Sequence, residues 1–133
     1  MAPTGANAQP QRVLVVQSAE GRAKLSQAAN IYGAPLALVV CCETAKAWVR
    51  PYDHKSIADI DATIVTDHMM LAAAEAGLSS VWICYFKPDV IKEAFNLPPG
   101  VEPVNILALG YSDEKAPAKV RKEAGETIFY ETF

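Results

Sequence analysis

The chain has 133 residues and a formal charge of −3, with 51% hydrophobic, 20% charged and 8% aromatic residues. That length fits one domain, residues 1–133, and the apolar content is enough for a packed core, which excludes a disordered or low-complexity chain. The acidic balance leaves no surplus of Lys and Arg to neutralise phosphates, which argues against a nucleic-acid partner.

The predicted elements alternate between two periods. Residues 11–17 (QRVLVVQ) read as a short buried strand bounded by Pro10 and Ser18. Ser18 is placed to cap a helix over 19–31, with Glu20 in its first turn and Gly33 and Pro35 beyond its end. Residues 35–42 (PLALVVCC) form a continuous apolar strand, and 43–55 a polar loop or short helical turn. The longest element is a helix over 56–76, with Ser56 as cap and Gly77 as its C′ residue. Its apolar residues cover most of the circumference, which predicts a central, buried helix; Asp61, His68 and Glu75 line up as a polar stripe on its far side. A third strand over 80–86 (SVWICYF), a short helix from Pro88 to 96 and a fourth strand over 104–109 (VNILAL) follow. Strands alternating with helices give an α/β or α+β class with a mixed sheet.

Residues 113–125 read as a charged surface segment, and 126–133 (ETIFYETF) turn apolar and β-prone again. Such a tail needs cover. Either it packs on its own core, or it reaches across to a partner subunit as an added strand.

The three cysteines show no C-x-x-C spacing, so a zinc ribbon or a redox disulfide is not expected, and the compartment reads as reducing and cytoplasmic. The first ten residues have neither the basic nor the apolar part of a signal peptide, and the apolar stretch over 57–78 carries too many ionisable groups for a membrane span. No dinucleotide fingerprint, P-loop or nucleophile elbow occurs. His54 and His68 have no third ligand at a metal spacing; His68 reads as a hydrogen-bonded helix residue and Cys84 as a small core residue. What remains is the turn over residues 2–12 (APTGANAQPQR), which offers backbone N–H groups and the amides of Asn7 and Gln9. It is suited to the polar edge of a planar heteroaromatic ring, and is equally an ordinary tight turn.

Four segments in order carry a resemblance. APTGANAQPQRVLVV, YGAPLALVVC, DIDATIVTDHMMLAAAEAGLSSVWICYF and LPPGVEPVNILALGY resemble, in turn, the A-P-[ST]-x-x-N-x-Q-P segment, second strand, long central helix with following strand, and L-P-x-G segment of the nitroreductase family of flavin enzymes. The resemblance implies an α+β fold, a mixed sheet flanked by helices, in an intertwined homodimer with FMN at the subunit interface. It implies electron transfer from NAD(P)H through FMN to a small acceptor such as a nitroaromatic or a quinone. Pro3, Thr4, Gly5, Asn7 and Gln9 then fall in the segment that contacts the isoalloxazine. Trp82, Ile83, Cys84 and Tyr85 fall where main chain lies along the ring, and Gly110 and Arg121 near the phosphate. A flavin-binding module without turnover, and a relative that uses reduced flavin for another reaction such as dehalogenation, stand as alternatives. Relative to the family pattern, the chain is expected to lack about thirty N-terminal residues with the Arg-rich cluster that grips the phosphate.

Overall fold

The computed structural model describes residues 2–114 and 117–133. A four-stranded sheet forms the middle of the molecule. Its strands are β1 (Gln11–Val16), β2 (Leu36–Glu43), β3 (Ser79–Ile83) and β4 (Val101–Gly110), in the spatial order β1-β2-β4-β3. The three helices are α1 (Ala19–Leu25), α2 (Ala58–Glu75) and α3 (Pro88–Ala94). The α+β class stands. Within it the sheet, expected to be mixed, pairs antiparallel at all three interfaces among the described residues.

The helix ends obey local chemistry with some slippage. The Ser18 hydroxyl accepts from the Gly21 N–H as expected, but α1 stops at Leu25 instead of 31. The chain leaves the helix there so that Ala28, Ala29 and Ile31 enter the core, and the Ala28 carbonyl accepts from the Lys87 N–H at 3.0 Å. At the start of α2 the cap position falls to Ile57, while the Ser56 hydroxyl accepts from the Ala58 N–H at 3.3 Å. Gly77 ends this helix with φ +79°, the left-handed conformation that glycine adopts without strain.

β3 is shorter than expected at its far end. Its ladder with β4 ends at the Ile83–Ile106 pair, three residues from Pro103 on β4, and residues 84–86 lie outside the sheet. β2 meets the same stretch of β4 through a bulge between Val40 and Cys41.

The sheet has two different faces. On one, α1 and α3 close over Val16, Ala37, Val39, Cys41, Ile106 and Ala108 around the fully buried Leu25 and Ile91. On the other lies α2, packed on Val40 and Cys42 through Ala58 and Ala62, and on Leu107 and Leu109 through Ala73. Here the structure corrects the expectation of a helix buried all round. Only the sheet side of α2 is covered: Ile60 is 49% exposed and Leu71 58%, while Asp61, expected on the polar stripe of the far side, is buried. His68 and Glu75 are exposed, and the His68 ring bonds the Ile64 carbonyl of its own helix. Among the described residues no helix is long and apolar enough to cross a membrane.

The C-terminal segment forms a short 3-10 turn at Ala124–Glu126 and no strand. Ile128, Phe129, Tyr130 and Phe133 are exposed, with the rings of Phe129 and Phe133 4.9 Å apart. The tail therefore does not cover the core of its own chain.

Candidate functional site

The turn over residues 2–9 is held in an unusual backbone conformation. Ala6, Asn7 and Gln9 have φ of 48°, 55° and 50°, the left-handed region that side chains disfavour. Such positions cost of order 1 kcal/mol each and persist only where surrounding contacts over-determine them. Those contacts are present. The Thr4 carbonyl accepts from the Asn7 N–H at 3.0 Å, the Gly5 carbonyl from the Ala8 N–H at 2.9 Å, and the Thr4 hydroxyl from the Gln9 N–H at 3.1 Å. The Gly5 N–H donates to Asp61 Oδ1 on α2 at 2.9 Å.

These bonds limit what the turn can offer a ligand. Four backbone donors that sequence reasoning left open are used inside the protein. The Asn7 side chain is exposed and makes no hydrogen bond among the described residues, so it presents both an amide donor and a carbonyl acceptor. The Gln9 amide is turned back on the Asn7 carbonyl at 3.4 Å. Gly5 packs so closely on the body that a Cβ would lie 2.2 Å from Ile57 Cδ1 and 3.2 Å from Trp48 Cβ. Pro3 is exposed at the entry to the turn.

The second segment, Trp82 to Tyr85, is positioned by a buried polar hub. Asn105 Oδ1 accepts from the Trp82 indole N–H at 3.1 Å and from the Cys84 thiol at 3.6 Å. Its Nδ2 donates to the hydroxyls of Thr63 and Thr66, each at 3.3 Å. Ile83 points into the α1–α3 side of the core, so it has only main chain to give a site there. Cys84, expected in the core, is exposed, as is Tyr85 at 96%. Both segments are thus tied to the first half of α2, one at Asp61 and the other through Asn105 at Thr63 and Thr66. Five residues of helix separate Asp61 from Thr66, a rise of about 7.5 Å.

Gly110 lies further along the sheet from the second segment. Gly110 ends β4 opposite Ser79, with its α-carbon against the Pro35 ring, where a Cβ would come within 2.9 Å. Four residues of strand, about 13 Å, separate it from Ile106. Arg121 is exposed and bonds the neighbouring Val120 carbonyl.

Two residues that matter here escaped sequence reasoning. Asp61 is 1% exposed and Asn105 3%. The signals were weak but present: Asn105 is the one polar residue in VNILAL, and Asp61 sits in the first turn of α2. The positive end of that helix offsets part of the cost of burying a carboxylate.

The nitroreductase family model matches residues 25–111, about two thirds of the chain, and the chain belongs to the nitroreductase family. An archaeal protein from Methanothermobacter thermautotrophicus, provisionally named NADH dehydrogenase/NAD(P)H nitroreductase, is 26% identical over 125 residues; the match covers 84% of this chain and 60% of the relative's length. The crystal structure of a nitroreductase family protein from Clostridium difficile 630 superposes with a TM-score of 0.95 at 54% identity, over 99% of this chain and 80% of that one. A provisionally named nitroreductase from Exiguobacterium sibiricum, crystallised in complex with FMN, shares the fold with a TM-score of 0.85 at 21% identity, over 98% and 80% of the two chains.

Proposed function

We propose that this nitroreductase-family chain binds FMN and passes electrons from NAD(P)H to a small acceptor such as a nitroaromatic or a quinone. The carrying observation is the turn over residues 2–9, a strained backbone fastened to α2 that leaves the Asn7 amide free. A strained, well-supported loop with an unpaired amide suits a ring whose edge alternates donors and acceptors. The FMN complex of the Exiguobacterium protein and the NAD(P)H in the archaeal relative's name support the same reading.

When bound, FMN supplies the hydride and electron chemistry, so the protein's part is binding, orientation and the exclusion of water. Asn7 bonds the polar edge of the ring, with Thr4 and Gly5 shaping the backbone that presents it and Pro3 and Gln9 flanking it. The main chain of Trp82, Ile83, Cys84 and Tyr85 forms the second wall, aligned by Asn105. The homodimer belongs to this proposal as well. Ile60 and Leu71 on α2, Val15 on β1 and the aromatic tail are apolar and exposed in the single chain, and a second copy would cover them.

The test is a titration of the purified protein with FMN, followed by flavin fluorescence, and then steady-state oxidation of NADH or NADPH with a quinone. Asn7→Ala should weaken FMN binding about tenfold, the scale of one bond worth ~1.5 kcal/mol. Unchanged affinity and unchanged flavin reduction in this variant would remove Asn7 from the site.

A further inference from the structure

We propose that Asp61 is the positioning residue of the flavin-edge turn: its carboxylate, buried on α2, holds Gly5 and thereby sets the pose of Asn7. This rests on the reading that residues 2–9 face the flavin. Among the described residues, the Gly5 N–H to Asp61 Oδ1 bond is the hydrogen bond that joins residues 3–8 to another element of the fold. The other bonds of the turn close on itself and fix its internal shape without fixing where that shape sits.

Two independent features support the assignment. Asp61 Oδ2 is buried and has no hydrogen-bond partner, so the carboxylate is held there at a cost that packing alone does not repay. An apolar residue at this helix position would be the cheaper choice if the role were only to fill space. Second, Gly5 meets Ile57 and Trp48 so closely that the anchor admits no side chain, and Ile57 lies four residues before Asp61, next to the start of the same helix. Polar and steric contacts therefore converge on one backbone unit. Residues 6, 7 and 9, which follow directly, are the ones in left-handed conformation. With the anchor released, they are free to relax out of it, and the Asn7 amide loses its fixed direction.

The experiment uses two readouts on the full chain: amide hydrogen exchange of residues 4–9 without flavin, and the dissociation constant of added FMN. Asp61→Ala should raise exchange in the turn about tenfold or more while leaving β2 and β4 protected, and should weaken FMN about tenfold. Asp61→Asn keeps an acceptor for the Gly5 N–H and should stay within about threefold of the parent on both counts. Should the alanine variant fail to fold, Gly5→Ala attacks the same anchor from the side of the turn. It should loosen the turn and weaken FMN, and adding Ile57→Ala should restore both, an outcome not expected if Gly5 mattered only by touching the ring. If Asn7→Ala weakens FMN but Asp61→Ala changes neither exchange nor affinity, the positioning role is overturned and the flavin-edge reading stands. If Asp61→Ala loosens the turn while neither variant alters FMN binding, the flavin-edge reading itself falls, and the proposal with it.

Discussion

The two faces of the sheet are built from the same strands and solve different problems. Under α1 and α3 the contacts are apolar throughout: Val39, Ile106 and Ala108 meet Leu25 and Ile91 with no buried polar side chain among them. Under α2 lie Asp61, Thr66 and Asn105, the three buried polar or charged side chains of the described residues. Burying such groups costs free energy unless each is bonded, and even then the net return is about 1 kcal/mol per bond. A fold selected for stability alone has no use for that face. What its polar groups do is reach outward, Asp61 to the turn at Gly5 and Asn105 to Trp82 and Cys84. One face holds the molecule together, and the other holds two surface segments in register with one helix.

The largest effect on stability should come from opening the apolar face. Ile91 is fully buried between α3 and the sheet. Ile91→Ala should cost about 2–5 kcal/mol in stability, read as a lower unfolding midpoint in urea. FMN affinity per folded molecule should stay within about threefold, since Ile83 shares this core but the hydrogen bonds that tie both segments to α2 are untouched. A lost affinity in fully folded Ile91→Ala protein would mean that the two faces are not separable.

Opening the other face should reverse the pattern. Asn105→Ala strands the Trp82 indole N–H and removes the partner of the Cys84 thiol. The expected loss of stability is about 1–3 kcal/mol, smaller than for Ile91. FMN affinity should nevertheless fall severalfold, because residues 82–85 lose their alignment. If stability drops and the flavin titration does not move, Asn105 serves packing only, and the contrast between the faces is one of composition.

Much of this arrangement is legible in the sequence, and what is not has a common cause. The strands show as Val- and Ile-rich runs, and Ser18, Gly77 and Pro88 mark helix ends by local means, a hydroxyl cap, a left-handed residue and a first-turn proline. Errors arise where a partner distant in sequence decides. Residues 26–31 carry helix-compatible side chains, yet they turn inward because Lys87 and the core draw Ala28 away. Asp61, His68 and Glu75 share a stripe by spacing, but only Asp61 lies against the turn from the N-terminus, 56 residues away. The tail over 126–133 has strand propensity and finds no strand to pair with in its own chain, since such propensity is realised only on a neighbouring strand. Of the expected site, the turn and residues 82–85 share a helix, and the anchors that make them share it, Asp61 and Asn105, show in the local pattern only as polar residues among apolar ones.

The smallest effect comes from two adjacent thiols that report on the two faces separately. Cys41 points into the α1–α3 core and Cys42 toward α2. Burial, with lesser help from Cys42 and Glu102, lifts the Cys41 thiol from its ordinary 9.0 to about 11. The Cys42 thiol is also raised, by burial first and then by the charges of Asp61 and Asp59. A thiol whose pKa is raised on folding contributes its full stability below pH 9, where neither state is ionised, and loses it as pH climbs toward 11. At pH 10 the Cys41 share of that loss is on the order of 1 kcal/mol. Cys41→Ala should therefore flatten the fall of stability between pH 9 and about 10.5, measured by urea unfolding, against the parent protein. Introducing Asp61→Asn should leave the Cys41 contribution intact and shrink that of Cys42, because a charge stands over one face and not the other. Equal flattening of both contributions by Asp61→Asn would show that the field of the carboxylate passes through the sheet, and that the two faces are electrostatically one.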